Sequence, residues 1–173
     1  MNPALARSLL FVRGMVPTAT TIAAVMLSSV PIGIPYYSAV TPFFPLIAVF
    51  YWSIYRPELL PAMTVFVAGV LFDIFTGGPM GLIALILLAV HGIAASQRRI
   101  LLGQSFWVEW AGFTLVAAGA AAVGWVLSCG FQFAFLPPSQ FAIQAALTAA
   151  LYPAGSWLLG RAARAARPIG VVA

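Results

Sequence analysis

Between Arg13 and Arg56, between Asp73 and Arg98, and between Glu109 and Arg161, the chain carries no charged side chain. A domain surrounded by water does not fold from such stretches, because about a quarter of the residues of an ordinary soluble domain are charged. Here 6% of 173 residues are charged and 63% are hydrophobic, so most of the surface has to face something other than water. The fold class this dictates is an all-α membrane protein. In lipid a helix satisfies its backbone N–H and C=O groups within one segment, and isolated strands cannot. The length suits a helical bundle without a separate soluble domain.

Length places the spans, since about 20 apolar residues carry a helix across the hydrocarbon core. The pattern predicts a six-transmembrane-helix bundle with helices over 14–33, 39–55, 58–75, 79–96, 106–129 and 139–160. The second and third are short for a crossing. Residues 1–13 then form an N-terminal segment, 14–160 the six-helix transmembrane domain, and 161–173 a basic C-terminal tail.

The arginines orient the bundle. Arg7 and Arg13 precede the first span, Arg56 lies between the second and third, and Arg98 and Arg99 lie between the fourth and fifth. Arg161, Arg164 and Arg167 follow the sixth, while the connections near 34–38, 76–78 and 130–138 have no charge. Cytoplasmic loops collect Lys and Arg, so this pattern predicts a multi-pass protein of the bacterial inner (plasma) membrane with both termini in the cytoplasm. The net charge of +5 belongs to these loops and to contacts with anionic lipid, not to nucleic acid. The N-terminus resembles a signal peptide only superficially: it lacks a clear small-x-small cleavage site before a soluble domain, so the first apolar stretch reads as a retained helix.

Small residues mark packing faces. Ala120 and Gly124 lie four apart in the fifth helix, with weaker pairs at Ala19 and Ala23 and at Ala145 and Ala149. Such positions let helix backbones approach closely in lipid. They serve internal packing or a seam facing a partner. Pro17, Pro61 and Pro79 suit first helical turns, and Pro153 should kink the sixth helix while a neighbour satisfies the carbonyl it frees. Cys129, the single cysteine, reads as a small apolar residue.

Chemistry-bearing residues are few. Glu58 should sit at the interface, balanced by Arg56, and Glu109 should snorkel or favour the positive start of the fifth helix. His91 reads as hydrogen-bonded within the bundle. No second His, Cys or carboxylate stands at ligand spacing from it, and no nucleophile–base pair or phosphate-cradling glycine loop is present. No enzyme activity, cofactor or metal is therefore expected.

Asp73 is the exception, because a carboxylate within a span needs compensation. It stands in Gly69-Val70-Leu71-Phe72-Asp73, just before Thr76-Gly77-Gly78-Pro79-Met80-Gly81. One reading folds it over the turn to accept hydrogen bonds from the free N–H groups that start the fourth helix. The other has it contact a partner or a ligand in an outward-facing cavity.

Tyr51-Trp52, Arg56-Pro57, Gly69, Asp73, Gly77-Gly78-Pro79 and Gly81-Leu82 together resemble the rod shape-determining protein MreD family, over about residues 14–160. The sequence departs from that pattern at Ile83, where the family often carries a polar or basic residue. The resemblance implies a non-enzymatic scaffold of the cell-elongation machinery, or elongasome, which supports lateral peptidoglycan synthesis. It implies an MreC-like single-span protein as direct partner. The wider complex would hold RodA, an elongation penicillin-binding protein and MreB. The fold of such proteins resembles the substrate-binding subunits of energy-coupling-factor transporters, so a vitamin-type transporter subunit is the alternative. In that case Ala19 and Ala23 would dock a transport module.

Overall fold

The computed structural model describes residues 3–29, 41–133 and 135–165, and among them every regular element is a helix. In chain order these are α1 (Pro3–Ser29), α2 (Phe44–Tyr55), α3 (Ala62–Thr76), α4 (Leu82–Leu101), α5 (Phe106–Gln132) and α6 (Pro138–Ala165). A short 3₁₀ turn, Pro57–Leu59, joins α2 to α3. By length and composition α4 and α5 can each cross a membrane, while Met15–Ser29, α2 and α3 are apolar but shorter. The expected helical continuation over 30–33, the start of the second span at 39–40, the loop at 34–38 and the tail with Arg167 lie outside the described residues. So do the side chains of Arg7 and Arg13.

Several expected boundaries move, each for a local reason. The third helix begins at Ala62 rather than residue 58, because Pro57 opens the 3₁₀ turn and Pro61 takes the N-cap position. The fourth begins at Leu82 rather than 79, because Gly81 is left-handed with φ +92° and no α-helix runs through that conformation. Pro79 therefore lies in the turn, not in the first turn of a helix. Pro17 is interior to α1, which starts at Pro3. The basic segment at 161 is no separate tail at its start, since α6 continues to Ala165.

The short α2 is the centre of the bundle. Pro45 through Ile54 are all buried, and α1, α4 and α6 pack around them. Twelve residues rise about 18 Å at 1.5 Å each, so the N-terminal end stops inside the protein, where other helices must satisfy it, while the C-terminal end reaches the surface at Tyr55 and Arg56. At the N-terminus Phe43 N donates to Thr148 Oγ1 of α6 (3.0 Å) and Phe44 N to Ser28 Oγ of α1 (3.2 Å). Gln144 Nε2 of α6 donates to Thr41 O just before them, at 3.1 Å. At the C-terminus Arg98 Nε of α4 donates to Ile54 O, at 3.0 Å. Around this axis Phe50 meets Phe113 and Tyr152 edge-on, and Phe113 and Tyr152 stack with centroids 4.2 Å apart.

Pro153 lies inside α6, which runs unbroken from Pro138 to Ala165. Lacking an N–H, it cannot serve the carbonyl four residues back. That carbonyl, Ala149 O, accepts instead from Trp110 Nε1 of α5 at 2.8 Å. A donor on one helix thus compensates a proline on the next. Trp110→Phe should cost about 1–2 kcal/mol of stability, read from unfolding in mild detergent. In a Pro153→Ala background, where the helix supplies its own N–H, the same substitution should cost much less. Equal costs in both backgrounds would refute the coupling.

Candidate functional site: the Asp73 hairpin and the space behind it

Gly69 and Asp73 are four apart and so share one face of α3, the face turned to α4. A Cβ at Gly69 would lie 2.3 Å from Ala84 Cα, so only glycine permits this closeness of α3 and α4. One turn on, α3 ends. Thr76 Oγ1 donates to Phe72 O at 2.8 Å, and Gly77 takes the left-handed cap position with φ +67°. The chain then turns through Gly78 and Pro79, whose carbonyl accepts from Leu82 N at 3.2 Å. Gly78 itself has a negative φ and an open surrounding, so nothing in the turn requires glycine there.

Asp73 reaches across this turn. Its Oδ2 accepts from Gly81 N at 2.8 Å and its Oδ1 from Ile83 N at 3.2 Å, and the residue is only 1% exposed. Gly81 is the N-cap of α4 but has no side chain to cap with, so the carboxylate of α3 does the capping. Its negative charge also lies against the positive end of the α4 dipole. This is how a buried acid is held without a cation.

Behind the hairpin, Phe72, Leu82 and Ile83 line a cavity of about 90 Å³. Ala120 and Gly124 of α5 line its far wall. A Cβ on Gly124 would sit 3.4 Å from Ile86 Cδ1 and 3.9 Å from Phe141 Cε1, placing this glycine between α4 and α6. The structure therefore gathers Gly69, Asp73, Gly77, Gly81, Ala120 and Gly124 around one end of the bundle.

The described arginines occupy the opposite end. Arg98, beside Arg99, pairs with Glu58 at 3.2 Å, and Arg161 lies 4.8 Å over the Trp157 ring. Glu58 is thus balanced by Arg98, not by Arg56 as its neighbourhood in sequence suggests. Arg56 is the extended C-cap of α2 (φ −149°) and exposed, whereas Arg98 descends from the last turn of α4. His91 is hydrogen-bonded within the bundle, its Nδ1 2.7 Å from Ser53 Oγ.

Glu109 stands in the first turn of α5, as one of its two expected roles requires, but it does not snorkel. It is buried, its Oε2 accepting from Tyr55 OH at 2.8 Å and its Oε1 from Tyr152 OH. Tyr55 comes from α2 and Tyr152 from α6, so one carboxylate of α5 ties three helices together. Neither tyrosine stands at helical spacing from Glu109, and no local pattern could have announced the cluster. The same is true of the Ser28 and Thr148 caps. The Trp110 bond left one trace: Pro153 marks the carbonyl four residues earlier.

An all-helical bundle with an apolar exterior, span-length helices and buried acids held by N–H and phenol donors is the build of a membrane protein. The family model for the rod shape-determining protein MreD matches residues 9–160, and the chain belongs to that family. No curated protein and no solved structure matches it.

Two outcomes follow. Asp73→Ala leaves two buried N–H groups without an acceptor and should cost about 2–4 kcal/mol in detergent unfolding, with Asp73→Asn intermediate. Glu109→Leu should likewise destabilise the fold. Adding Tyr55→Phe and Tyr152→Phe should recover part of that loss, because the orphaned hydroxyls are removed with their acceptor. A triple variant no more stable than Glu109→Leu would exclude the cluster as drawn.

Proposed function

We propose that this chain is a non-enzymatic, multi-pass scaffold of the bacterial inner membrane. In this reading it supports rod shape and lateral peptidoglycan synthesis by binding an MreC-like single-span protein. Through that partner it joins a wider complex with RodA, an elongation penicillin-binding protein and MreB. Membership of the rod shape-determining MreD family carries the reading. Both termini lie in the cytoplasm, and the Asp73 hairpin faces the other side of the membrane.

The surface is compatible with helix docking. Between α5 and α6 runs a cleft of about 450 Å³, lined by Ala118, Ala121, Ala122, Ala142 and Ala146, with Trp125 near one end. Small side chains along a cleft let a further helix approach closely, and packing is what associates helices in lipid. A transporter subunit would instead need a chamber for its ligand, commonly about 300–1,000 Å³ with convergent polar groups. The space behind the Asp73 hairpin is about 90 Å³ and mostly apolar.

The test is purification from native membranes in mild detergent, with photo-crosslinking residues placed at Ala118 and Ala146 and, as a control, at Leu85 on α4. The reading expects a single-span protein to crosslink from the cleft and not from Leu85, with wall synthases co-purifying. Asp73→Asn, Gly77→Ala and Gly81→Leu should weaken that recovery and round the cells. Recovery of an ATPase module or a stoichiometric vitamin would replace this reading with a transport one.

A further inference from the structure

The arginine-bearing end has a charge surplus that the chain cannot neutralise itself. Eight arginines face three acids in the whole sequence. Of those acids, Asp73 caps α4 at the far end, Glu109 is occupied by two tyrosines, and Glu58 pairs with Arg98. The guanidiniums at the end of α6 are therefore left without an acidic side chain of this chain and stand open to an anion from outside.

Their arrangement suits one. Trp157, Gly160, Arg161 and Arg164 follow at helical spacing i, i+3, i+4 and i+7, and so share one face of the last turns of α6. Arg161 lies over the indole of Trp157, which is 58% exposed. Arg164 folds back along Gly160: a Cβ there would come within 3.6 Å of its Nη1 and 3.4 Å of Tyr51 OH. Glycine thus leaves room for the Arg164 guanidinium to fold back along the same face that carries Arg161. Phe106 and Trp107 at the start of α5, 44% and 70% exposed, lie at the same end of the bundle. Exposed indoles with arginines at helix ends are the signature of the headgroup level of a bilayer.

We propose that this face of α6 is a binding site for an anionic phospholipid. Arg161 and Arg164 donate N–H bonds to the headgroup phosphate, a geometry in which the guanidinium fork is strong. Trp157 packs along the boundary between headgroup and acyl chain and holds Arg161 by its ring face. The site depends on the chain lying in a bilayer and not on any protein partner.

The experiment is native mass spectrometry of the full chain released from nanodiscs that hold phosphatidylglycerol and phosphatidylcholine with identical acyl chains. Wild type should retain phosphatidylglycerol in preference. Arg161→Gln with Arg164→Gln should reduce that preference by about fivefold for each guanidinium removed, from about 1 kcal/mol per basic residue at the membrane surface. Arg161→Lys with Arg164→Lys, which keeps the charge but removes the guanidinium fork, should retain only part of it, and Arg99→Gln should leave it unchanged. Equal retention of the two lipids by wild type, or an unaltered preference in the double Gln variant, would overturn the proposal. So would a loss as large in Arg99→Gln, which would reveal bulk charge. Displacement of the lipid by millimolar inorganic phosphate would assign the site to free phosphate instead.

Discussion

In an apolar medium no water completes a hydrogen bond, so every backbone group has to find its partner within the protein. The short central helix α2 makes that constraint the organising one. Its N-terminal N–H groups and the carbonyl of its last buried residue, Ile54, are met by Ser28 of α1, Thr148 of α6 and Arg98 of α4. Those three helices are therefore fixed to α2 by donors and acceptors as well as by packing. Directional bonds matter here because the hydrophobic effect cannot draw helices together in lipid. The same rule explains Trp110, which donates to the carbonyl that Pro153 leaves free.

The two buried acids obey it in different ways. Asp73 is held by backbone N–H groups at a helix start, Glu109 by two phenol hydroxyls. Neither has an arginine as partner, although the chain has eight. The described guanidiniums are gathered at one end of the bundle, while Asp73 stands at the other. Positive charge is thereby kept at the arginine-bearing end, and the other end is closed by a glycine hairpin, a polarity that suits a protein lying across a membrane.

Much of the hairpin was legible because its logic is local. Gly69 and Asp73 share a helix face, Gly77 and Gly81 allow a turn with positive φ, and an acid close to a helix start has an obvious use. The spacing alone could not say that Gly69 touches Ala84 at backbone distance, nor which N–H groups Asp73 takes. Helix limits were misread where a proline or glycine acts on its neighbours' conformation, as at Pro57, Pro61 and Gly81. Glu58 was assigned the nearest arginine in sequence, and the fold supplied a different one, Arg98.

By itself the sequence determined the all-helical architecture, the segregation of arginines and the membership of the rod shape-determining MreD family. The first two rest on composition, period and short spacing, which a chain states residue by residue, and the family on resemblance of its motifs to known members. Only the tertiary structure decided that α2 is the axis, that Glu109 is buried between Tyr55 and Tyr152, and that Tyr51 of α2 packs at Gly160 of α6. Those pairings join helices far apart in the chain. Their partners were chosen by which buried polar groups the packing left without water, and that choice exists only once the helices have met.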